Sequence, residues 1–147
     1  MSFQSKYVYL DTCALCRQFD EQTQERIALE TQAVKTILNY VYSNSLILII
    51  SKLHYIEIER IKDSYKRDEL LSLLREYGQM PQYDLPATRT KAEYFITQGL
   101  KLADATHVAF AEQVNAYFVT TDDKLIKGCY RLNLQMKYGT PLDFFEE

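Results

Sequence analysis

The chain alternates short apolar runs with longer segments of helical periodicity. Its apolar runs Tyr7–Leu10, Leu46–Ile50 and Tyr117–Thr121 consist largely of β-branched, leucine and aromatic residues. Such runs are typical of strands that are buried on both faces of a sheet. Between the first two runs, apolar residues recur at helical spacing over about residues 22–43, which indicates an amphipathic helix. This alternation predicts an α/β fold with a mainly parallel central sheet flanked by helices.

The second half of the chain adds further predicted elements. Apolar residues at helical spacing predict helices over about residues 65–77, 87–98 and 102–114, and a short helix from Asp123. Residues 78–86 contain one glycine and two prolines, so we expect a loop there. A last extended segment is predicted around residues 134–137.

Length and composition place the chain among ordinary proteins of one domain. A chain of 147 residues with 47% hydrophobic and 25% charged residues predicts one domain over residues 1–147. It has no apolar run of the roughly 20 residues that span a bilayer, and its N-terminus leads directly into a strand. The three cysteines are too few for a disulfide framework. We therefore expect a cytoplasmic protein with no membrane partner.

The net charge of -3 argues against a protein that holds nucleic acid by bulk electrostatics, because that affinity comes mainly from lysine and arginine. An acidic nuclease remains possible, since a bound metal supplies positive charge and local basic patches can guide a strand. The alternative is that these basic residues are simply solvated helix faces. The candidates fall in two segments: Lys52, Arg60 and Lys62, then Lys124, Lys127 and Arg131.

Four acidic residues occupy positions that this fold would bring to one edge of the sheet. Asp11 and Asp122 follow two of the predicted strands, and ligands of parallel sheets bind outside the carboxyl ends of the strands. Asp104 falls in the first turn of a predicted helix, and Glu57 lies about two turns into the helix that Ser51 caps. Singly, each acid could be a turn residue, a helix cap or a solvated helix residue.

As a set, the four acids predict a metal site. Carboxylate oxygens are the hard ligands that Mg²⁺ and Mn²⁺ prefer. Such ions activate water and stabilise charge on a phosphate that is being cleaved. The neighbouring acid Glu59 is rotated by about 200° from Glu57 along a helix, so only one of the two faces the crevice easily. The spacing after Ser51 favours Glu57.

Four sequence stretches resemble the successive motifs of PIN-domain nucleases, including the VapC-type toxins of toxin–antitoxin pairs. They are Val8–Thr12, Ile50–Ser51 with Glu57, Leu102–His107, and Val119–Asp122; the closing Pro141–Phe145 also resembles the end of such domains. The resemblance covers nearly the whole chain. It implies a PIN-like three-layer fold and a metal-dependent endoribonuclease that cleaves single-stranded RNA. It also implies a homodimer and an antitoxin protein that covers the site.

The resemblance assigns roles to particular residues. Asp11, Glu57, Asp104 and Asp122 match the acidic positions that are catalytic and bind Mg²⁺ or Mn²⁺, while Thr120 matches a supporting hydroxyl residue. Thr12 belongs to the first motif.

Each of two further residues has two possible roles. Asp123 is either a second ligand or the N-cap of the following helix. His107, one turn from Asp104, either reaches the site or is a packing residue.

Two other functions compete with a nuclease. Cys13 and Cys16 form a C-x-x-C pair after a strand, which is compatible with a thiol-disulfide oxidoreductase, although small buried thiols explain them too. A zinc site would need other soft ligands, and Cys129, His54 and His107 form no second closely spaced pair. A catalytically silent PIN-like module that binds RNA or protein is the stronger alternative, because 12 tyrosines could stack on bases or line an interface.

Overall fold

The computed structural model describes residues 3–146, so Met1, Ser2 and Glu147 of the predicted domain lie outside the described residues. Its strands are β1 (Tyr7–Leu10), β2 (Ile47–Ile49), β3 (Gly78–Gln79), β4 (Tyr117–Val119) and β5 (Tyr138–Gly139). Its α-helices are α1 (Thr12–Cys16), α2 (Glu25–Tyr42), α3 (Lys52–Glu59), α4 (Ser64–Tyr77), α5 (Leu85–Thr97), α6 (Leu102–Gln113) and α7 (Asp123–Tyr130). Short 3₁₀ turns occupy Arg17–Phe19 and Asp143–Phe145.

The five strands form one sheet in the order β3-β2-β1-β4-β5, and every neighbouring pair is parallel. The first strand of the chain is therefore the central one. It pairs with β2 through Val8 opposite Leu48 and with β4 through Leu10 opposite Val119. The predicted parallel sheet is confirmed.

Helices cover both faces of this sheet because successive side chains of a strand point to opposite faces. Along β1, Val8 and Leu10 pack into a core with α1 to α4, while Tyr9 packs into a second core with α5 to α7. All three residues have no exposed surface. The predicted three-layer α/β architecture is confirmed.

The helices are amphipathic and carry polar groups on their packed faces. The longest, α2, has 18 residues and buries Glu30 together with apolar side chains. Arg17 forms an ion pair of 2.9 Å with that glutamate, which provides the partner that a buried charge needs. None of the helices within residues 3–146 combines the length and apolar character needed to cross a bilayer.

Two local predictions are wrong in detail. The predicted loop 78–86 begins with strand β3 and ends inside α5, whose first turn accommodates Pro86 because a proline there loses no helical hydrogen bond. A Cβ atom on Gly78 would lie 2.6 Å from the Leu74 carbonyl oxygen, so the glycine allows α4 to run directly into β3. The last strand lies at Tyr138–Gly139 rather than around residues 134–137.

Candidate active site

The sheet order reverses at β1, because β2 lies on one side of it and β4 on the other. In open α/β sheets such a reversal leaves a crevice at the carboxyl ends of the two diverging strands. Asp11 follows β1 directly, and Asp122 follows the last residue of β4 by three positions. Both aspartates therefore stand at the edge where this fold has room for a ligand.

Asp11 is a buried carboxylate at the N-terminus of α1. It is 3% exposed, and its Oδ1 accepts a hydrogen bond of 2.9 Å from the Ala14 amide. Burial raises its pKa to about 6, and the charge of Asp104 adds to this rise, although hydrogen bonds from Thr120 and Ala14 and the charge of His107 oppose it. The fold therefore holds this carboxylate where its negative charge is unfavourable.

Asp122 is the N-cap of α7. Its Oδ1 accepts hydrogen bonds from the amides of Lys124 (2.9 Å) and Leu125 (3.3 Å), and its own amide donates to Thr120 Oγ1 over 3.1 Å. A hydrogen bond from the Thr120 hydroxyl also lowers the pKa of Asp11, so Thr120 contacts both aspartates. Of the two interpretations of Asp123, the N-cap is wrong, because Asp122 is the N-cap of this helix.

Asp104 lies in the first turn of α6, as its sequence position predicted. Burial raises its pKa, and the negative charges of Asp122 and Glu57 raise it further, while His107 and Lys101 lower it. Like charges shift one another's pKa in this way only when they lie close together. The carboxylates of Asp11, Glu57, Asp104 and Asp122, which we call the crevice acids, thus form one electrostatic group.

Glu57 is held by two hydrogen bonds at the inner end of this group. Its Oε1 accepts from Thr12 Oγ1 over 2.6 Å and from His107 Nε2 over 2.6 Å. Burial raises its pKa, but the hydrogen bond and charge of His107, together with Thr12, outweigh burial and hold the pKa below its usual value. Glu59 is exposed to solvent, so the structure places Glu57, and not Glu59, beside Thr12 and His107.

A buried polar network lies beneath the crevice acids and consists of Tyr9, Ser51, His54 and His107. The Tyr9 hydroxyl lies 2.6 Å from His107 Nδ1 and 2.9 Å from Ser51 Oγ. His54 Nδ1 accepts from the Ser51 amide over 3.0 Å, and its Nε2 donates to the Leu10 carbonyl oxygen over 2.8 Å. These partners fix the neutral tautomer of His54, and burial lowers its pKa to about 3.

Sequence reasoning missed Tyr9 and His54. A signal existed for Tyr9, because a hydroxyl in a strand that is buried on both faces must find a partner inside the protein.

Asp123 is engaged by an arginine from another layer of the fold. Its two carboxylate oxygens accept hydrogen bonds of 2.6 and 2.7 Å from Arg26. Arg26 also lies 3.5 Å from the buried Glu30. The side chains of Arg26 and Asp123 are more than half exposed, so this pair ties α2 to α7 at the surface and occupies both oxygens of Asp123.

A cavity of about 310 Å³ opens beside the acids and combines both signs of charge. Asp104 and Asp122 line it together with four cations, Lys101, Lys124, Lys127 and Arg131. Three of these cations form the second of the two basic segments identified in the sequence. In the first segment, Lys52 instead lines a separate groove between α5 and α6. Of the two basic segments, the second therefore shares a cavity with Asp104 and Asp122, and Lys52 of the first lines a different groove.

The chemistry of the crevice acids suits a hard divalent cation, which would relieve their mutual repulsion. Asp11, Glu57, Asp104 and Asp122 are the residues that could hold it. Within residues 3–146, however, no three His, Cys, Asp or Glu side chains converge into a group that could hold a metal ion as they stand. One oxygen of Asp11 and one of Asp122 cap helices, and His107 and Thr12 hold Glu57.

The three cysteines are free thiols. Although the Cys13 side chain is exposed at the surface, partial desolvation and the nearby charges of Asp11, Asp104 and Asp122 raise its pKa to about 12. The pKa of Cys16 is also raised by burial. A redox-active pair requires a thiolate, which a lowered pKa supplies, so this site disfavours the thiol-disulfide oxidoreductase.

Comparisons with known proteins agree with this architecture. A family model described as PIN domain matches residues 8–129. The crystal structure of FitAcB from Neisseria gonorrhoeae superposes with a TM-score of 0.57 at 13% sequence identity, covering 92% of this chain and 98% of that chain. At this identity the likeness shows a shared fold. No curated protein matches the sequence.

Proposed function

Because the chain belongs to the PIN domain family, we propose that it is a metal-dependent endoribonuclease that hydrolyses phosphodiester bonds in single-stranded RNA. The observation that carries this proposal is the group of crevice acids at the reversal of the sheet, where burial and like charges raise the pKa of Asp11 and Asp104. Raised carboxylate pKa values of this kind are typical of functional sites. A cation-lined cavity beside them adds a place for the substrate.

The crevice acids would hold one or two Mg²⁺ or Mn²⁺ ions. When bound, such an ion activates a water molecule and stabilises negative charge on the phosphate. The residues of the chain orient the ligands: Thr120 connects Asp11 and Asp122, and Thr12 and His107 hold Glu57. The helix dipole of α6 favours the negative charge of Asp104 in its first turn.

The cavity beside α7 supports a polynucleotide substrate. Its four cations, Lys101, Lys124, Lys127 and Arg131, adjoin Asp104 and Asp122, so a strand could place its flanking phosphates against them while one phosphodiester lies at the acids. Local cations of this kind contribute to nucleic-acid affinity even when the net charge of the protein is -3. RNA as the substrate and the free thiols are both compatible with a cytoplasmic location.

The test is cleavage of a single-stranded RNA pool by the purified chain. We expect cleavage with Mn²⁺ or Mg²⁺ and its loss with EDTA. Asp104→Asn, which keeps the size of the side chain but removes its charge, should lower the rate at least a hundredfold. Lys137→Gln is the matched control, because Lys137 lies outside the cation-lined cavity. Cleavage that survives both EDTA and Asp104→Asn would contradict the proposal.

The same experiment separates the nuclease from a catalytically silent PIN-like module. The silent module would bind RNA without cleaving it, and RNA binding would not respond to Asp104→Asn. We favour the nuclease because all four acids are present in one electrostatic group.

A role as the toxin of a toxin–antitoxin pair further requires a protein that covers the acids. Co-expression with a small DNA-binding protein encoded beside this gene should then suppress cleavage.

We further propose that the homodimer forms through the apolar face between α5 and α6. A groove of about 470 Å³ between α5 and α6 is lined by apolar residues that include Leu85, Ile96 and Leu102, and Leu102 is 70% exposed. On the rim, Arg89 and Glu93 form an exposed pair of 3.1 Å along α5. If α5 packed antiparallel against its copy on a two-fold axis, Arg89 of each chain would meet Glu93 of the other.

Light scattering tests this surface. We expect the mass of two chains for the wild type, a shift toward one chain in Arg89→Glu, and recovery in the charge-swapped double variant Arg89→Glu with Glu93→Arg. A wild-type mass of one chain would contradict the homodimer. A dimer that is unaffected by Arg89→Glu would contradict this surface.

A further inference from the structure

The polar network beneath the crevice acids ends at one of them, Glu57. His107 makes this connection: its Nε2 lies 2.6 Å from Glu57 Oε1 and its Nδ1 lies 2.6 Å from the Tyr9 hydroxyl. His107 is 3% exposed and Tyr9 is fully buried. A carboxylate oxygen accepts hydrogen bonds, so His107 Nε2 carries a proton and donates it to Glu57. The imidazole thus spans the distance between the core and the crevice.

The network draws its members from three elements of the fold. Tyr9 is in β1, Ser51 is the N-cap of α3, and His107 is in α6. Tyr9 joins the other two, because its hydroxyl contacts both Ser51 Oγ and His107 Nδ1. Throughout residues 3–146, no buried side-chain nitrogen or oxygen lacks a hydrogen-bond partner. Fully partnered buried networks of this kind restrict side chains to one arrangement.

His107 also packs against aromatic rings that limit its rotation. Its ring centroid lies 5.6 Å from that of Tyr9 and 5.0 Å from that of His54. His54 is itself fixed by the Ser51 amide and the Leu10 carbonyl oxygen. The imidazole of His107 is therefore held by its neighbours independently of Glu57. The imidazole can therefore orient the Glu57 carboxylate, and its own position does not depend on Glu57.

We propose that His107 is a positioning residue, which fixes the Glu57 carboxylate at the crevice through its Nε2–H and is itself held in place by Tyr9. This inference rests on the proposed function, since Glu57 matters here as a ligand of the metal. Glutamate loses considerable rotamer freedom when it is immobilised. A carboxylate that is already oriented avoids this loss on metal binding, which is why outer-shell partners typically contribute tenfold to a hundredfold in metal affinity.

Two amide substitutions separate the contact of His107 with Glu57 from its contact with Tyr9. His107→Gln places an amide nitrogen near the position of Nε2 and keeps a donor for Glu57. His107→Asn is shorter, reaching only the position of Nδ1, so it keeps a partner for Tyr9 but loses Glu57. The measurement is the Kd for Mn²⁺, determined by calorimetry or by the electron paramagnetic resonance of free Mn²⁺, with no RNA present.

We expect His107→Asn to raise the Kd for Mn²⁺ at least tenfold and His107→Gln to remain within about threefold of the wild type. Tyr9→Phe, which removes the hydroxyl that contacts the imidazole and Ser51 but leaves Nε2–H in place, should likewise raise the Kd by about threefold. The control is His54→Leu, which removes the hydrogen bonds of His54 to Ser51 and Leu10 but keeps a side chain of similar volume packed against His107. It should lower the melting temperature and leave the Kd unchanged.

The outcomes distinguish this inference from the proposed function. If the wild type binds Mn²⁺ and a folded His107→Asn binds it equally well, the positioning role is overturned while the metal site stands. Equal weakening by His107→Gln, His107→Asn and His54→Leu would also overturn it, because loss of stability alone would then explain the effect. If His107→Asn does not fold, an unchanged Kd in Tyr9→Phe overturns it. A wild type that does not bind Mn²⁺ would overturn both proposals.

Discussion

At the mouth of the crevice, Asp11 and Asp104 are acids whose charges burial and neighbouring acids make unfavourable. In the polar network directly beneath, His54 is neutral and both of its ring nitrogens are hydrogen-bonded. The two regions share Glu57, which belongs to the acids by charge and to the network by its bond to His107. In the network, the buried polar groups all have hydrogen-bond partners. At the crevice, the carboxylates lie close enough to repel one another.

This difference separates stability from function. A polar group that is buried with all its partners contributes to stability and to a unique arrangement of side chains. A carboxylate that is kept close to other carboxylates costs stability, and proteins retain such groups mainly where a ligand or a reaction uses them. Substitutions in the two regions should therefore change the free energy of unfolding in opposite directions.

The largest expected effect is a loss of stability in the network. His54→Leu fills a similar volume but leaves the Ser51 amide and the Leu10 carbonyl without their partners. Each unsatisfied buried group costs about 2 kcal/mol, so we expect the free energy of unfolding at pH 7.5 to fall by roughly 4 kcal/mol. Urea denaturation followed by circular dichroism measures this change.

The pH dependence provides a check on the same variant. Since the pKa of His54 is lowered to about 3 in the fold, protons bind preferentially to the unfolded chain below its ordinary pKa of 6.5, and the stability contributed by neutral His54 is lost as the pH falls from 6.5 toward 3. His54→Leu lacks this loss, so its deficit relative to the wild type should shrink between pH 7.5 and pH 5. A deficit that stays constant would show that His54 is not held neutral.

The next effect has the opposite sign and lies in the crevice. Asp11→Asn removes an unfavourable charge and keeps an oxygen that can accept from the Ala14 amide. A tenfold change in an acid constant corresponds to about 1.4 kcal/mol, so a pKa that is raised from 3.8 to about 6 predicts a gain in stability of about 3 kcal/mol at pH 7.5. We expect RNA cleavage to be abolished in this more stable variant. Urea denaturation in EDTA tests the gain.

Lowering the pH should erase this gain. The cost of ionised Asp11 is fully present above its folded pKa of about 6 and disappears as the pH falls to its ordinary value of 3.8. Glu57→Gln is the matched control, because it makes the same chemical change at an acid whose pKa is lowered. It should destabilise the protein at pH 7.5. If both amide variants were to shift stability in the same direction, the contrast between the two regions would fail.

The sequence predicts those helices and strands that are long enough for a hydrophobic run or a helical periodicity to be recognised. The apolar runs that contain β1, β2 and β4 and the periodic segments of α2, α4 and α6 were located within a few residues of their observed bounds. Asp11 and Asp122 were predicted at the carboxyl edge from strand ends alone, and the spacing after Ser51 favoured Glu57 over Glu59. The positions of the two aspartates were predictable because the end of a parallel strand fixes the edge of the sheet at which the next residues lie.

The elements that were missed are short or depend on distant partners. Helix α1 has five residues and strands β3 and β5 have two each, so no periodicity can develop in them, and the strands exist only because a neighbouring backbone pairs with them. The contact between Tyr9 and His107 joins residues 98 positions apart. The sequence indicates that the Tyr9 hydroxyl needs a buried partner, but it does not identify His107 as that partner.

Because β1 is the central strand, the two strands that form the crevice are translated at different times. Among the described strands β1 is translated first, and its partner β4 starts only at Tyr117. More than a hundred residues are therefore added to the chain between the synthesis of Asp11 and that of Asp122. Domains begin to fold from the N-terminus as they are translated, and β1 can pair with β2 well before that point. A nascent chain therefore has its first acid in place without the opposite wall of the crevice. If the chain is the ribonuclease that we propose, it would stay inactive on the ribosome until β4 and Asp122 have been made.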